Sequence, residues 1–255
     1  MTLLSVERLK LFTTRSPWWC ALITLTITIG FAALVTANAD DREFAPTVSS
    51  TQIGYGLGMA VIMVLAALSV TTEYRFGTIR TTFQAIPNRI AALLAKTTVV
   101  ALLCLVIGEI SAFGAWGVGK MIKPTADLAL NSTADWINVA GVGVIYAFAA
   151  IIAIAVGIMI RHSAGAIALL LVYSLAVESL VGLIPGIGHD IQKWMPFNVA
   201  EKFLTGDAGS NSGRGPGGGQ SSGVILSQGW SLAYFAAVAI GLLAIAITVA
   251  KKRDA

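Results

Sequence analysis

Residues 97–119 read TTVVALLCLVIGEISAFGAWGVG, an almost unbroken apolar run whose one charged side chain is Glu109. At about 1.5 Å of rise per residue, roughly 20 such residues wound as a helix cross the hydrocarbon core of a bilayer. A barrel strand would show alternating polarity over about ten residues, and this run does not alternate. A helix is then the form that satisfies every backbone group in lipid. Five further runs pass the same test, at 17–37, 52–70, 136–160, 163–184 and 229–250. The composition agrees, with 56% hydrophobic residues, 12% charged residues and a mean hydropathy of +0.80. The expected fold class is an all-α integral membrane protein, a single domain over residues 1–255 with six transmembrane helices.

Orientation follows from the basic residues, which resist translocation when they flank a span. With the N-terminus inside, the inner segments hold Arg8, Lys10, Arg15, Arg75, Arg80, Arg89, Lys96, Arg161, Lys251, Lys252 and Arg253. The outer segments hold Arg42, Lys120, Lys123, Lys193, Lys202 and Arg214, three of them in one long loop. Eleven against six predicts both termini on the cytoplasmic side of the cell membrane. The net charge of +4 is thereby a matter of topology, and no basic patch interleaved with aromatics points to nucleic acid. Ala37-Asn38-Ala39 imitates a signal-peptidase site, but the preceding apolar run is longer than a secretory signal, so the first helix is expected to stay.

Several chemistries are excluded. Cys20 and Cys104 both fall in spans without the spacing of a disulfide framework or a zinc site. Gly114–Lys120 imitates a P-loop, yet Met121 stands where a magnesium-binding hydroxyl is required, and the run ends a membrane helix. His162 and His189 fall on opposite sides of the membrane and cannot share one site. No HExxH or GxSxG pattern is present, so the chain is expected to be no enzyme and to bind no cofactor or metal.

Three connecting segments carry pattern. Residues 1–16 place Leu3, Val6, Leu9 and Phe12 at a spacing of three, an amphipathic interfacial helix that Pro17, Trp18 and Trp19 turn into the bilayer. Residues 71–96 are polar and basic, with Thr71 and Thr72 as candidate caps and Gly77 as an interruption. There Phe76, Ile79, Phe83 and Ile86 form an apolar stripe on a short helix limited by Pro87, which either floats on the inner leaflet or inserts in a groove of a cytoplasmic partner. Residues 185–228 form an extracytoplasmic loop whose first part, with His189, Trp194, Phe197 and Phe203, reads as interfacial or re-entrant. Its Gly-rich part, 206–223, cannot bury a core and reads as disordered.

Glu109 and Glu178 are the carboxylates well inside spans, each about 20 Å along its helix from the inner end. One such charge costs about 3 kcal/mol on the insertion scale, which the surrounding aliphatics offset. They either line a translocation path for polar or cationic cargo or are hydrogen-bonded to neighbouring helices, for instance through Tyr173 or Ser111.

Three passages resemble the permease subunits of type-2 ATP-binding-cassette transporters, in particular the small actinobacterial kind. They are ERLKLFTTRSPWW at 7–19, TEYRFGTIR at 72–80 and MPFN at 195–198, and with the six spans the likeness covers essentially the whole chain. The middle passage is the most specific. The resemblance implies that 71–96 is the cytoplasmic coupling segment, with Glu73, Tyr74, Arg75, Gly77, Thr78 and Arg80 meeting a separate ATPase subunit. It further implies a second permease copy or paralogue, ATP and magnesium on the partner, and export of a small-molecule, peptide or lipid substrate. The Gly-rich loop departs from the family pattern. The competing expectations are a membrane scaffold or sensor that recruits a cytoplasmic protein, which wants a folded outer domain, and a secondary transporter, which wants internal repeats that are not found.

Overall fold

The computed structural model describes residues 3–39, 46–79, 88–206 and 226–253. Among them the regular elements are all helices: α1 (Leu3–Thr13), α2 (Ser16–Asn38), α3 (Val48–Thr51), α4 (Tyr55–Phe76) and α5 (Arg89–Ile122). They continue as α6 (Thr133–Ile160), α7 (Ser163–Val181), α8 (Gly188–Gln192), α9 (Pro196–Thr205) and α10 (Gln228–Arg253). Six of them, α2, α4, α5, α6, α7 and α10, are long and apolar enough to cross a membrane, matching the six runs in the sequence. Arg80, Phe83, Ile86 and the Gly-rich stretch beyond Gly206 lie outside the described residues.

The boundaries move for local reasons. The helix expected over 52–70 runs on to Phe76, so Thr71 and Thr72 cap nothing; their hydroxyls donate to the Ala67 and Leu68 carbonyls at 2.8 and 2.6 Å. Gly77 ends it, with φ of 72°, the left-handed conformation that a residue without Cβ adopts cheaply. The helix expected from residue 97 instead starts at Arg89, where the Asn88 side chain accepts from the Ala91 amide at 3.2 Å. Its 34 residues make a rod of about 50 Å, longer than the roughly 30 Å hydrocarbon core, so Lys96 belongs to a helix and not to a loop.

α6 is the hub of the bundle, packed against α4, α5, α7, α9 and α10. A Ser132–Asp135 capping box starts it, and Arg161 ends it in the left-handed conformation. Small residues explain its position, since Gly141, Gly143, Ala149, Ala150, Ala153, Ala155 and Gly157 are all buried and let neighbouring backbones come close. At the α5 crossing a Cβ on Gly108 would stand 2.6 Å from the Gly143 Cα, so the glycine there is a packing requirement. Buried Tyr146 completes the core, its hydroxyl donating to the Tyr55 carbonyl of α4 at 2.8 Å. By contrast α2, α7 and α10 leave most of their apolar surface outside the bundle.

Candidate functional site

Two polar constructions stand at opposite ends of this bundle. The first joins α1, α4 and α5. Lys96, on the first turns of α5, donates to Glu7 Oε2 at 2.6 Å and to Glu73 Oε1 at 2.8 Å. Lys10 closes the set, 3.0 Å from Glu7 Oε1 and 3.6 Å from Glu73 Oε1. The side chains of Glu7, Lys96 and Glu73 are 6%, 8% and 14% exposed, so the charges are largely withdrawn from water and each depends on the others. Burial alone would push the Glu7 carboxyl up, but Lys96 and Lys10 together hold it below the usual carboxylate range. For Lys10 burial acts downward and is outweighed by Glu7 and Glu73, which hold its ammonium above the usual range.

This cluster decides how the segment after α4 is presented. Glu73 faces the bundle. The Tyr74 ring packs against the core and lies under the Arg161 guanidinium, 4.9 Å from its centroid. Arg75, Phe76, Gly77 and Thr78 are exposed, with the Arg75 guanidinium 5.7 Å from the Phe76 ring and the Thr78 hydroxyl 3.5 Å from the Glu73 carbonyl. Of the residues the sequence singled out here, Glu73 therefore turns inward while Arg75, Gly77 and Thr78 form an outward surface. Lys96 was missed as a site residue. Its one sequence signal is a lysine heading an apolar run, which reads equally well as a topological anchor.

The second construction is centred on Glu178. Residues Tyr173–Val177 of α7 are wound as a π-helix, and the next residue, Glu178, is 4% exposed. Its Oε1 and Oε2 accept from the Phe197 and Asn198 amides at 3.1 and 2.8 Å, the amides of the first turn of α9. Backbone amides that no helical carbonyl can reach thus satisfy a buried carboxylate, and the carboxylate favours the positive end of that helix. Gln192 adds a bond to the Glu178 carbonyl at 3.2 Å, and the Tyr173 and Phe197 rings meet edge-on at 6.1 Å. α9 itself lies against α6 and α10 through Phe197, Val199, Ala200, Phe203 and Leu204, all buried. On this helix Glu201, unremarked in the sequence, is half-buried, and burial pushes its carboxyl up.

Glu109 belongs to neither construction. It is half-buried on α5 beside the α6 crossing, over Gly143, where an added Cβ would come 2.5 Å from its Oε1. No hydrogen bond reaches its carboxylate among the described residues, so the two intramembrane acids have different surroundings. His162 and His189 also stay apart, His162 capping the start of α7 through Nδ1 and the Gly165 amide at 3.2 Å, His189 on α8 beyond its other end.

Compared with known families, the chain matches the family model described as ABC-2 family transporter protein over residues 3–177, from α1 through the π-helical turns of α7. No curated protein matches the sequence.

Proposed function

Because the chain belongs to the ABC-2 family of transporter proteins, we propose that it is the membrane-spanning permease subunit of an ATP-driven exporter. In this reading it pairs with a second copy or a paralogue, and a separate cytoplasmic ATPase carries ATP and magnesium. Both termini lie in the cytoplasm, as the excess of inner Lys and Arg favours. Segment 71–96 meets the ATPase.

The observation that supports this reading best is the outward surface of Arg75, Phe76, Gly77 and Thr78 beside the Glu7–Lys96–Glu73 cluster. A segment that takes up force from a partner must be exposed to it and stiffly held to the helices that move, and both conditions are met within a few residues. When the ATPases close on ATP, the push at 75–78 would pass through Glu73 to α5 and α1 together. Glu109, with its carboxylate unengaged, is the better candidate for lining the path of a small-molecule, peptide or lipid substrate. Glu178 is the better candidate for positioning α9.

The test is purification of the tagged protein from its native membranes in mild detergent, beside Arg75→Glu and Glu73→Lys. An ATP-binding-cassette subunit should co-elute with the unaltered chain and be lost with Arg75→Glu at unchanged yield. Glu73→Lys, which sets a third lysine against Glu7 alone, should lose both partner and thermal stability. No ATPase with the unaltered chain would overturn the reading in favour of a scaffold, a sensor or a secondary transporter.

A further inference from the structure

α1 has two working faces. Glu7 is on the inner one. The outer one exposes Leu4, Arg8, Leu9 and Phe12, the reverse of what a buried apolar stripe would do. The Arg8 guanidinium lies 6.0 Å from the centroid of the Phe12 ring, and that ring lies 5.8 Å from the ring of Trp18 at the start of α2. Trp18 and Trp19 are 62% and 61% exposed, and Arg15, also exposed, stands at the corner between the two helices. Neither Arg8 nor Arg15 has a carboxylate within ion-pair distance among the described residues, since Glu7 and Glu73 are engaged by Lys10 and Lys96. The surface runs on into the lipid-facing side of α2 at Leu22 and Ile23.

We propose that the corner formed by Arg8, Phe12, Arg15 and Trp18 binds the headgroups of anionic phospholipids. Charge and continuity select this occupant. Two guanidiniums without an ion pair among the described residues match phosphate oxygens in a forked geometry, and exposed indoles settle at the headgroup level next to an apolar helix face. A zwitterionic headgroup carries its own cation, which competes with arginine for the same phosphate, so the corner favours lipids of net negative charge. α1 is then held from both sides, by the leaflet through its arginines and by the bundle through Glu7. This reading is independent of the ATPase partner.

The protein in nanodiscs of phosphatidylcholine would be titrated with brominated phosphatidylglycerol or, separately, brominated phosphatidylcholine, following quenching of tryptophan fluorescence. Trp18→Phe/Trp19→Phe assigns the signal to the corner. Quenching by the anionic lipid should saturate at lower mole fraction, and Arg8→Gln/Arg15→Gln should weaken it about twenty-five-fold, about fivefold for each arginine. In phosphatidylcholine alone the thermal midpoint of that variant should not change, because both side chains are exposed. Equal quenching by the two lipids, or a preference that survives in the variant, would overturn the proposal. So would displacement of the lipid by inorganic phosphate, which would make the corner a site for free anions.

Discussion

Each end of the bundle buries a carboxylate, and each solves the problem differently. Glu7 and Glu73 are neutralised by the charges of Lys96 and Lys10, whereas Glu178 is satisfied by two amides at the start of α9. A charge pair binds strongly but leaves an uncompensated ion when one member is lost, while a hydrogen-bonded carboxylate that loses its charge keeps oxygen acceptors for the same amides. The first is suited to fastening three elements rigidly. The second is suited to a joint that survives a change of protonation.

The largest effect that would test this contrast is expected from Lys96→Met. It leaves Glu7 and Glu73 facing each other with Lys10 alone, and should cost about 3–5 kcal/mol in denaturant unfolding in detergent. Lys96→Arg should recover most of that loss, and an unaffected Lys96→Met would mean that α1 is held by packing. Glu178→Gln is expected to cost less, about 1–3 kcal/mol, and to raise amide exchange in α9 while leaving α1 unchanged. The opposite ranking of these two variants would dissolve the distinction between the ends.

The smallest effect, and the sharpest discrimination, lies in acid. The Glu7 carboxyl titrates below its unfolded value of 4.5, so its contribution is present above that value and is lost as pH falls through the lowered one. Glu201 on α9 titrates above 4.5, so its ionisation works against the fold, and that cost disappears on acidification through the raised value. Hydrogen exchange measured down to pH 4 and below should therefore show α1 loosening while α9 gains protection. Parallel responses would mean that the two ends share one electrostatic character.

The spans were legible in the sequence because lipid imposes a length and a composition on each crossing. The order of packing was only partly so: 163–184 passes the same test of length and apolar composition as 136–160, yet α7 is mostly exposed on the outside of the bundle and α6 mostly buried within it. What separates them is the run of glycine and alanine in α6, a feature of shape that hydropathy does not register. The ion cluster was not legible. Glu7 and Glu73 lie 89 and 23 positions before Lys96; Glu7 and Lys96 read as ordinary interfacial charges, and Glu73, singled out through the family resemblance, was expected to face a partner and not these two. Glu178 was legible as an anomaly and Tyr173 as a side-chain partner for it, but the two amides were not, since backbone amides leave no trace in side-chain identity beyond the Pro196 that suits a helix start.

The π-helical turns at Tyr173–Val177 also set a rule of counting. Each residue in an α-helix advances the side chains by about 100°, and a wider turn holds one residue more than its α-helical counterpart. Deleting a single residue there would close the wide turn to an ordinary α-helical one and leave position 178 facing α9, whereas adding or deleting one elsewhere in the span before Glu178 would point it about a quarter turn away. The irregular winding absorbs one residue and so keeps the carboxylate in phase with the amides it serves, which makes the wide turn the place in α7 where a change in length is tolerated.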